Sequence, residues 1–376
     1  MSEARFDRVS NENNTAGPII SGITTFSGQN FFVPPKGTTA QRPSNCPPGS
    51  IRFNTDSAKL EYFDNLQWLE LEAFNVEIGI STNAAGTSGG LGNRGVFGGG
   101  YTSVSVNTID FITISTLGNA QDFGDLFTGR YGLAACSSST RGVFGGGVGN
   151  VNIIDFITIS STGDAKDFGD LTQGRRYLAA CSSSTRGVFG GGIAPTNVNT
   201  IDFITISSTG DAKDFGDLPQ IRGYFAACSS STRGVFGGGL APGLDNTIDF
   251  ITISSTGNAA DFGDLTQARF YLSACSSSTR GVFGGGRAPG DVNTIDFITI
   301  SSTGNATDFG DLTQARFILA ACSSSTRGVF GGGAAPGNVN TIDFITISST
   351  GNAADFGDLF QERNSLAALS NGHGGL

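Results

Sequence analysis

Six near-identical copies of a 45 to 47 residue unit run from Arg94 towards the C-terminus, and this period constrains the fold before any single residue does. RGVFGGG begins at Arg94, Arg141, Arg186, Arg233, Arg280 and Arg327, followed each time by a TIDFITIS-type and then an ATDFGDL-type segment. In the fifth copy four extended segments, 272–278, 280–286, 294–301 and 306–312, alternate apolar with polar residues between Gly-, Pro-, Ser- and Asn-rich turns. That pattern specifies short β-strands. Four strands recurring every roughly 40–50 residues make one propeller blade.

The expected fold is all-β, a six-bladed propeller over residues 76–376. The first copy has no LAAC-type strand directly before Arg94, while a sixth such segment stands alone at 366–369. The C-terminal strand is therefore expected to complete the first blade and remove an open sheet edge, with residues 75–82 as the alternative source. The motif order resembles the kelch family, in the fifth copy through Arg269, Phe283 with Gly284 and Gly285, Phe297 and Phe309. Both the Tyr and the Trp usual in kelch repeats are Phe here, and the turn between the third and fourth strands is longer. The resemblance implies a kelch-like propeller.

The chain contains 30 Phe, and three recur in every copy (Phe97, Phe111 and Phe123 in the first), so these are the expected core. Glycines after the first of them suit places where neighbouring blades approach too closely for a Cβ. Recurring Asp and Arg, such as Asp110 and Arg130, read as turn caps and blade-to-blade ion pairs. Cys136, Cys181, Cys228, Cys275 and Cys322 share one phase on the innermost strand and read as small buried hydrophobes, with neither disulfide geometry nor metal-ligand spacing. A net charge of −10 leaves no basic stripe for a nucleic acid. No apolar run approaches membrane-spanning length, and MSEARFDRVSNENN is too polar for a signal peptide.

Catalysis is poorly supported, because the single histidine, His373, lies in a Gly-rich C-terminal segment away from any nucleophile partner. The chain reads as a non-enzyme without cofactor or metal. Asn305, Asp308 and Asp311 form a repeated oxygen-rich element that could bind a cation, but Asn and Asp more commonly serve as turn formers.

Residues 1–75 differ in kind: a Pro-rich arm over 1–48, containing ITTFSGQNFF, then a β-meander over 49–75 with strands at Ile51–Asn54, Lys59–Phe63 and Trp68–Leu71. Its expected core is Ile51, Phe53, Leu60, Tyr62, Trp68 and Leu69, which is too small to stand alone. Gly49–Asp56, Lys59–Asp64 and Gln67 with Trp68 resemble a module of bacteriophage tail-fibre and other virion proteins, and the repeats look like those of marine cyanophage structural proteins. The resemblance implies a virion structural component of the tail, baseplate or neck, assembled in the host cytoplasm. Attachment to other virion proteins, or homo-oligomerisation, is then expected through Ile51, Phe53, Leu60, Tyr62 and Trp68.

Differences between the copies point to a recognition face. The segments after FGGG and after DFGDL vary, and in a four-strand meander both emerge on one side. That side carries Tyr101, Tyr131, Arg176, Tyr177, Tyr224, Phe270, Tyr271, Arg287 and Phe317, of types common among binding anchors. The expected function is host-surface recognition of a glycan or protein. The alternatives are a structural spacer that packs against other virion proteins and, behind both, a glycan-degrading enzyme.

Overall fold

The computed structural model describes residues 34–43, 46–57, 59–70 and 93–376 of a chain that divides into two units, Met1–Val76 and Glu77–Leu376. The polar leader, ITTFSGQNFF and segment 75–82 lie outside the described residues. Among the described residues, apart from one 3-10 turn at Thr39–Gln41, the regular elements are all strands.

In the second unit the repeats fold into six four-stranded antiparallel sheets. Sheet 1 comprises Ala367–Ser370, Arg94–Gly98, Thr108–Thr113 and Gln121–Asp125; sheet 2, Ala134–Ser137, Arg141–Gly145, Ile153–Thr158 and Lys166–Asp170; sheet 3, Ala179–Ser182, Arg186–Gly190, Thr200–Thr205 and Lys213–Asp217. Sheet 4 comprises Ala226–Ser229, Arg233–Ala241, Gly243–Thr252 and Ala260–Asp264; sheet 5, Ser273–Ser276, Arg280–Gly284, Thr294–Thr299 and Thr307–Asp311; sheet 6, Ala320–Ser323, Arg327–Gly331, Thr341–Thr346 and Ala354–Asp358. The inner strand of sheet 1 comes from the C-terminal segment, with Ala367 opposite Gly98 and Ser370 opposite Gly95.

Hydrogen bonds between inner strands run round and return to the start. Ser182 Oγ donates to Ser137 O, Ser229 to Ser182, Ser276 to Ser229, Ser323 to Ser276, Ser370 to Ser323 and Ser137 to Ser370, over 2.5–2.8 Å. The arrangement is propeller-like, with the inner strands about a common axis. Each apolar cluster lies between two neighbouring sheets, including one that joins sheets 6 and 1 through Phe356, Val329, Phe97 and Ile112.

Two of the three recurrent Phe fill this core. Phe97 is fully buried, and Phe123 enters through a bulge, since Ile109 pairs with Gly124 but Asp110 with Asp122. The third departs from expectation: Phe111 is only half-buried and lies under the Arg94 guanidinium at 4.6 Å, an arrangement repeated in every sheet. Arg94 also donates to Ile159 O of the next sheet, and Arg327 closes the series on Ile114 O. The sheets are therefore bridged by arginine to carbonyl.

The recurrent ion pairs lie within sheets, which corrects the blade-to-blade expectation. Arg130, in the connection entering sheet 2, pairs with Asp155 of that sheet at 2.9 Å, and Arg175, Arg222, Arg269, Arg316 and Arg363 repeat the contact on Asp202, Asp249, Asp296, Asp343 and Asp110. Each pins an incoming connection to the third strand. In three sheets a threonine hydroxyl completes the carboxylate: Thr172 on Asp202, Thr266 on Asp296 and Thr313 on Asp343, each at 2.6 Å. Phe127, Pro219 and Phe360 hold the equivalent position elsewhere, and there Asp155, Asp249 and Asp110 each keep a buried, unpartnered Oδ1. Burial pushes all three carboxyls up, Asp249 to about 6, against the pull of its arginine.

In the first unit Lys36–Gly37 adds a parallel strand to the meander, whose observed strands are Ile51–Asn54, Lys59–Phe63 and Trp68–Glu70. The expected apolar core is not what is buried. Arg52, Asn54 and Glu61 face inward, with Glu61 held by Arg42 at 2.6 Å and by Arg52 at 3.4 Å. Cross-strand pairing puts Ile51, Phe53, Leu60, Tyr62 and Leu69 on the other face, where Ile51 is 53% exposed. Trp68 parts from that set: it lies on the polar side, its ring 5.8 Å from the Arg52 guanidinium, and donates Nε1–H to Pro43 O. The register gives the buried face to the residues that can satisfy one another.

Two outcomes follow from this architecture. Deleting 364–376 removes the inner strand of sheet 1 and should cost at least about 4 kcal/mol, read as a large fall in melting temperature; an unchanged value would contradict the closure. Pro219→Thr should restore both N–H and hydroxyl donors to Asp249 and stabilise by about 1 kcal/mol at pH 7.5. Because the folded carboxyl titrates at about 6, above its unfolded value, the gain should shrink as the wild-type group protonates below pH 6. Denaturant melts at pH 7.5 and 4.5 measure both.

Candidate functional site

The variable connections meet on one side. Arg176 bridges Ile193, Gly223 bridges Leu240, Phe270 bridges Arg287 and Phe317 bridges Ala334, so each connection entering a sheet pairs with the second-to-third loop of that sheet. At this end of the axis Gly132, Tyr177, Tyr224, Tyr271, Ile318 and Ser365 occupy one repeat position, and all have left-handed backbone, φ between 49° and 64°. For Tyr and Ile this is a strained conformation. What offsets it is a second circuit of six hydrogen bonds, 2.6–3.0 Å long: Tyr177 N donates to Gly132 O, Tyr224 to Tyr177, Tyr271 to Tyr224, Ile318 to Tyr271, Ser365 to Ile318 and Gly132 to Ser365.

The circuit fixes the backbone and leaves the side chain free to differ. Tyr177, Tyr224 and Tyr271 gather over the axis, their centroids 4.5, 4.6 and 5.7 Å apart. Tyr131 joins Tyr177 at 6.4 Å and Tyr101 at 5.0 Å, while Phe270 and Phe317 extend the cluster from Tyr271 at 4.7 and 5.8 Å. Arg287 caps Phe317 at 3.8 Å and pairs with Asp291. Eight of the nine residues singled out from the sequence are thus brought together. Arg176 stands apart, donating to Asn150 Oδ1 at 2.9 Å.

An axial cavity of about 140 Å³ opens among these tyrosines, walled by Ala135, Ala180, Ala227, Ala274, Ala321 and Ala368. No charged side chain lines it. Burial among its neighbours raises the Tyr177 and Tyr271 phenols above their usual range, so both stay neutral.

The other end of the axis carries a feature that the sequence reading missed. After the last strand the chain turns inward: Asn371 Oδ1 accepts from Arg94 N, Gly374 N donates to Ser276 O, and His373 enters a chamber of about 60 Å³. His373 Nε2 lies 3.1 Å from Ser137 O, a carbonyl that only accepts, so Nε2 carries the proton, and Nδ1 accepts from Gly375 N. The tail crosses so close to the inner strands that a Cβ at Gly374 or Gly375 would collide with Ser277 and Ser182 carbonyls. Three glycines in the six residues after the last strand were the available signal.

The remaining candidates take structural places. Asn305 Oδ1 accepts from Asp264 N of the preceding sheet, and the equivalent contact recurs round all six sheets, ending with Asn119 on Asp358 N. The five repeat cysteines are buried free thiols that pack towards glycines of the following sheet, Cys136 against Gly187, and burial pushes Cys228 up to about 12. Among the described residues no group of three or more His, Cys, Asp or Glu could hold a metal ion, and no helix is long and apolar enough to cross a membrane.

No protein-family model and no curated protein matches this chain.

Burial holds His373 near 4, below its unfolded value, so docking of the tail is fully favourable above about pH 6.5 and weakens as pH falls towards 4. A second proton would also displace the Gly375 N–H from Nδ1. Amide-exchange protection at Gly374, corrected for intrinsic rate, should be flat above pH 6.5 and fall by up to about tenfold per unit below it; protection constant down to pH 4.5 would contradict this.

Proposed function

We propose that this chain is a recognition module: a six-bladed kelch-like β-propeller whose variable face binds a host-surface ligand, carried on a bacteriophage virion by its N-terminal region. The observation that carries the binding assignment is the aromatic cluster at the axis. A shared left-handed backbone circuit presents Tyr177, Tyr224 and Tyr271 at its centre, on the side where the connections vary while the strands are nearly uniform. Half-buried aromatics around a cavity on the variable side are what a binding site needs. Binding rather than catalysis is favoured because His373 is committed to Ser137 O and Gly375 N at the far end. The virion assignment rests on the sequence resemblance, and the face of exposed Ile51 and Leu60 with half-buried Phe53 and Tyr62 supports attachment there, to other virion proteins or to a second copy.

One observation favours the spacer reading. Phe127 and Phe360 are 72% and 69% exposed on the connections leaving and entering sheet 1, which suits contact with another protein. Both readings are tested by binding of the full chain to surface extract of marine cyanobacteria. Tyr271→Ala should reduce that binding at least about tenfold, as expected for a buried aromatic anchor, and Phe127→Thr should leave it unchanged. No binding to extract, together with loss of virion incorporation in Phe127→Thr, would favour the spacer.

A further inference from the structure

The axial cavity also indicates what class of ligand enters it. We infer that it receives one neutral pyranose ring of a saccharide, stacked on the tyrosine cluster and hydrogen-bonded by its hydroxyls. This rests on the recognition reading above and adds the chemistry.

Size comes first. A hollow of about 140 Å³ is of the scale that admits a single six-membered ring, since a cavity of about 150 Å³ accommodates benzene. Charge comes next: with no charged side chain in the lining, a buried carboxylate, phosphate or ammonium would lose its hydration with nothing to pair it. Polarity separates the remaining neutral rings. Tyr177, Tyr224, Tyr271 and Ser365 all line the cavity and bring it hydroxyl groups, each both donor and acceptor, beside ring faces. A pyranose has that pattern, with an apolar C–H face to lie on an aromatic ring and hydroxyls round its edge.

An aromatic side chain of a peptide would match the size but not the surroundings. Its backbone would need donors and acceptors at the mouth, and there the N–H groups of Gly132, Tyr177, Tyr224, Tyr271, Ile318 and Ser365 are spent on one another. The cavity is also unequal round its axis, with three tyrosines in succession facing Ile318, Ser365 and Gly132. That inequality gives a ring one stacking wall and one open, hydroxyl-bearing side.

The test uses the full chain and four free sugars, glucose, galactose, mannose and N-acetylglucosamine, followed by saturation-transfer NMR and calorimetry, with phenylalaninamide as the peptide probe. At least one sugar should bind saturably. Tyr177→Ala and Tyr271→Ala should weaken it at least tenfold, and Tyr271→Phe, which keeps the ring and the fold, should weaken it less. Ala227→Leu, which fills the cavity from its wall, should block binding without touching a tyrosine. If no sugar binds while surface extract still binds in a Tyr271-dependent way, the saccharide assignment is wrong and recognition stands. If phenylalaninamide binds in place of the sugars, the site is a peptide site. If neither extract nor sugars bind, both readings fall.

Discussion

The structure depends on one packing contact, the wedge of a second-strand phenylalanine into the hollow beside a glycine of the preceding sheet. A Cβ at Gly98 would lie 2.7 Å from the Phe144 ring, and the same relation pairs Gly145 with Phe189, Gly190 with Phe236, Gly237 with Phe283, Gly284 with Phe330 and Gly331 with Phe97. The last of these closes the series. Each wedge buries a large ring, contributing about 2 kcal/mol, and brings the inner strands close enough for their serines to bond from sheet to sheet. Glycine here is required by the approach of a neighbour, since any side chain would push two sheets apart.

Much of this was legible because it repeats. A contact made between neighbouring copies must be compatible with every copy, so the residues that make it hardly vary: Phe, Gly and Ser hold their places through the whole array. The strands and their order follow from alternation and turn residues alone. The ion pairs were legible as Arg and Asp but not in their direction, because a one-dimensional period does not say whether Arg130 reaches forward or back. Phe111 was misjudged for a related reason. Its period is perfect, but it packs at the edge of the core, against Phe123 and under Arg94, and periodicity records a shared environment without saying whether that environment is core or rim.

The non-repeating parts were harder. In the first unit alternation identified the apolar face except for Trp68, which stands on the polar side, and the larger error lay in assuming that the apolar face is buried. Glu61 is fully buried because Arg42, Arg52 and Asn54 all turn towards it, a cluster that no local hydrophobicity pattern can announce. The tail was read only as a strand followed by glycines. Its seat depends on the Ser137 and Ser276 carbonyls and the Ser182 hydroxyl, from three different sheets, which are brought together by closure and by nothing nearby in sequence.

Closure gives the two ends of the axis different chemistry. At one end all six copies present the same serine circuit, and equality of the copies lets one short tail fill the opening by bonding to several at once. At the other end the backbone circuit is equally regular, but the side chain it carries is Gly, Tyr, Tyr, Tyr, Ile and Ser in turn. The regular circuit makes the mouth indifferent to which side chain stands there, so substitution at this position alters the cavity without disturbing the ring beneath it. Substitution at the Thr172 position has no such freedom. Where Phe127, Pro219 or Phe360 stands, a buried carboxylate loses a donor, so variation in the connections leaves a buried polar atom unpaired, which variation at the mouth does not. The axial position is therefore where this fold can change the lining of its cavity while leaving its own closure intact.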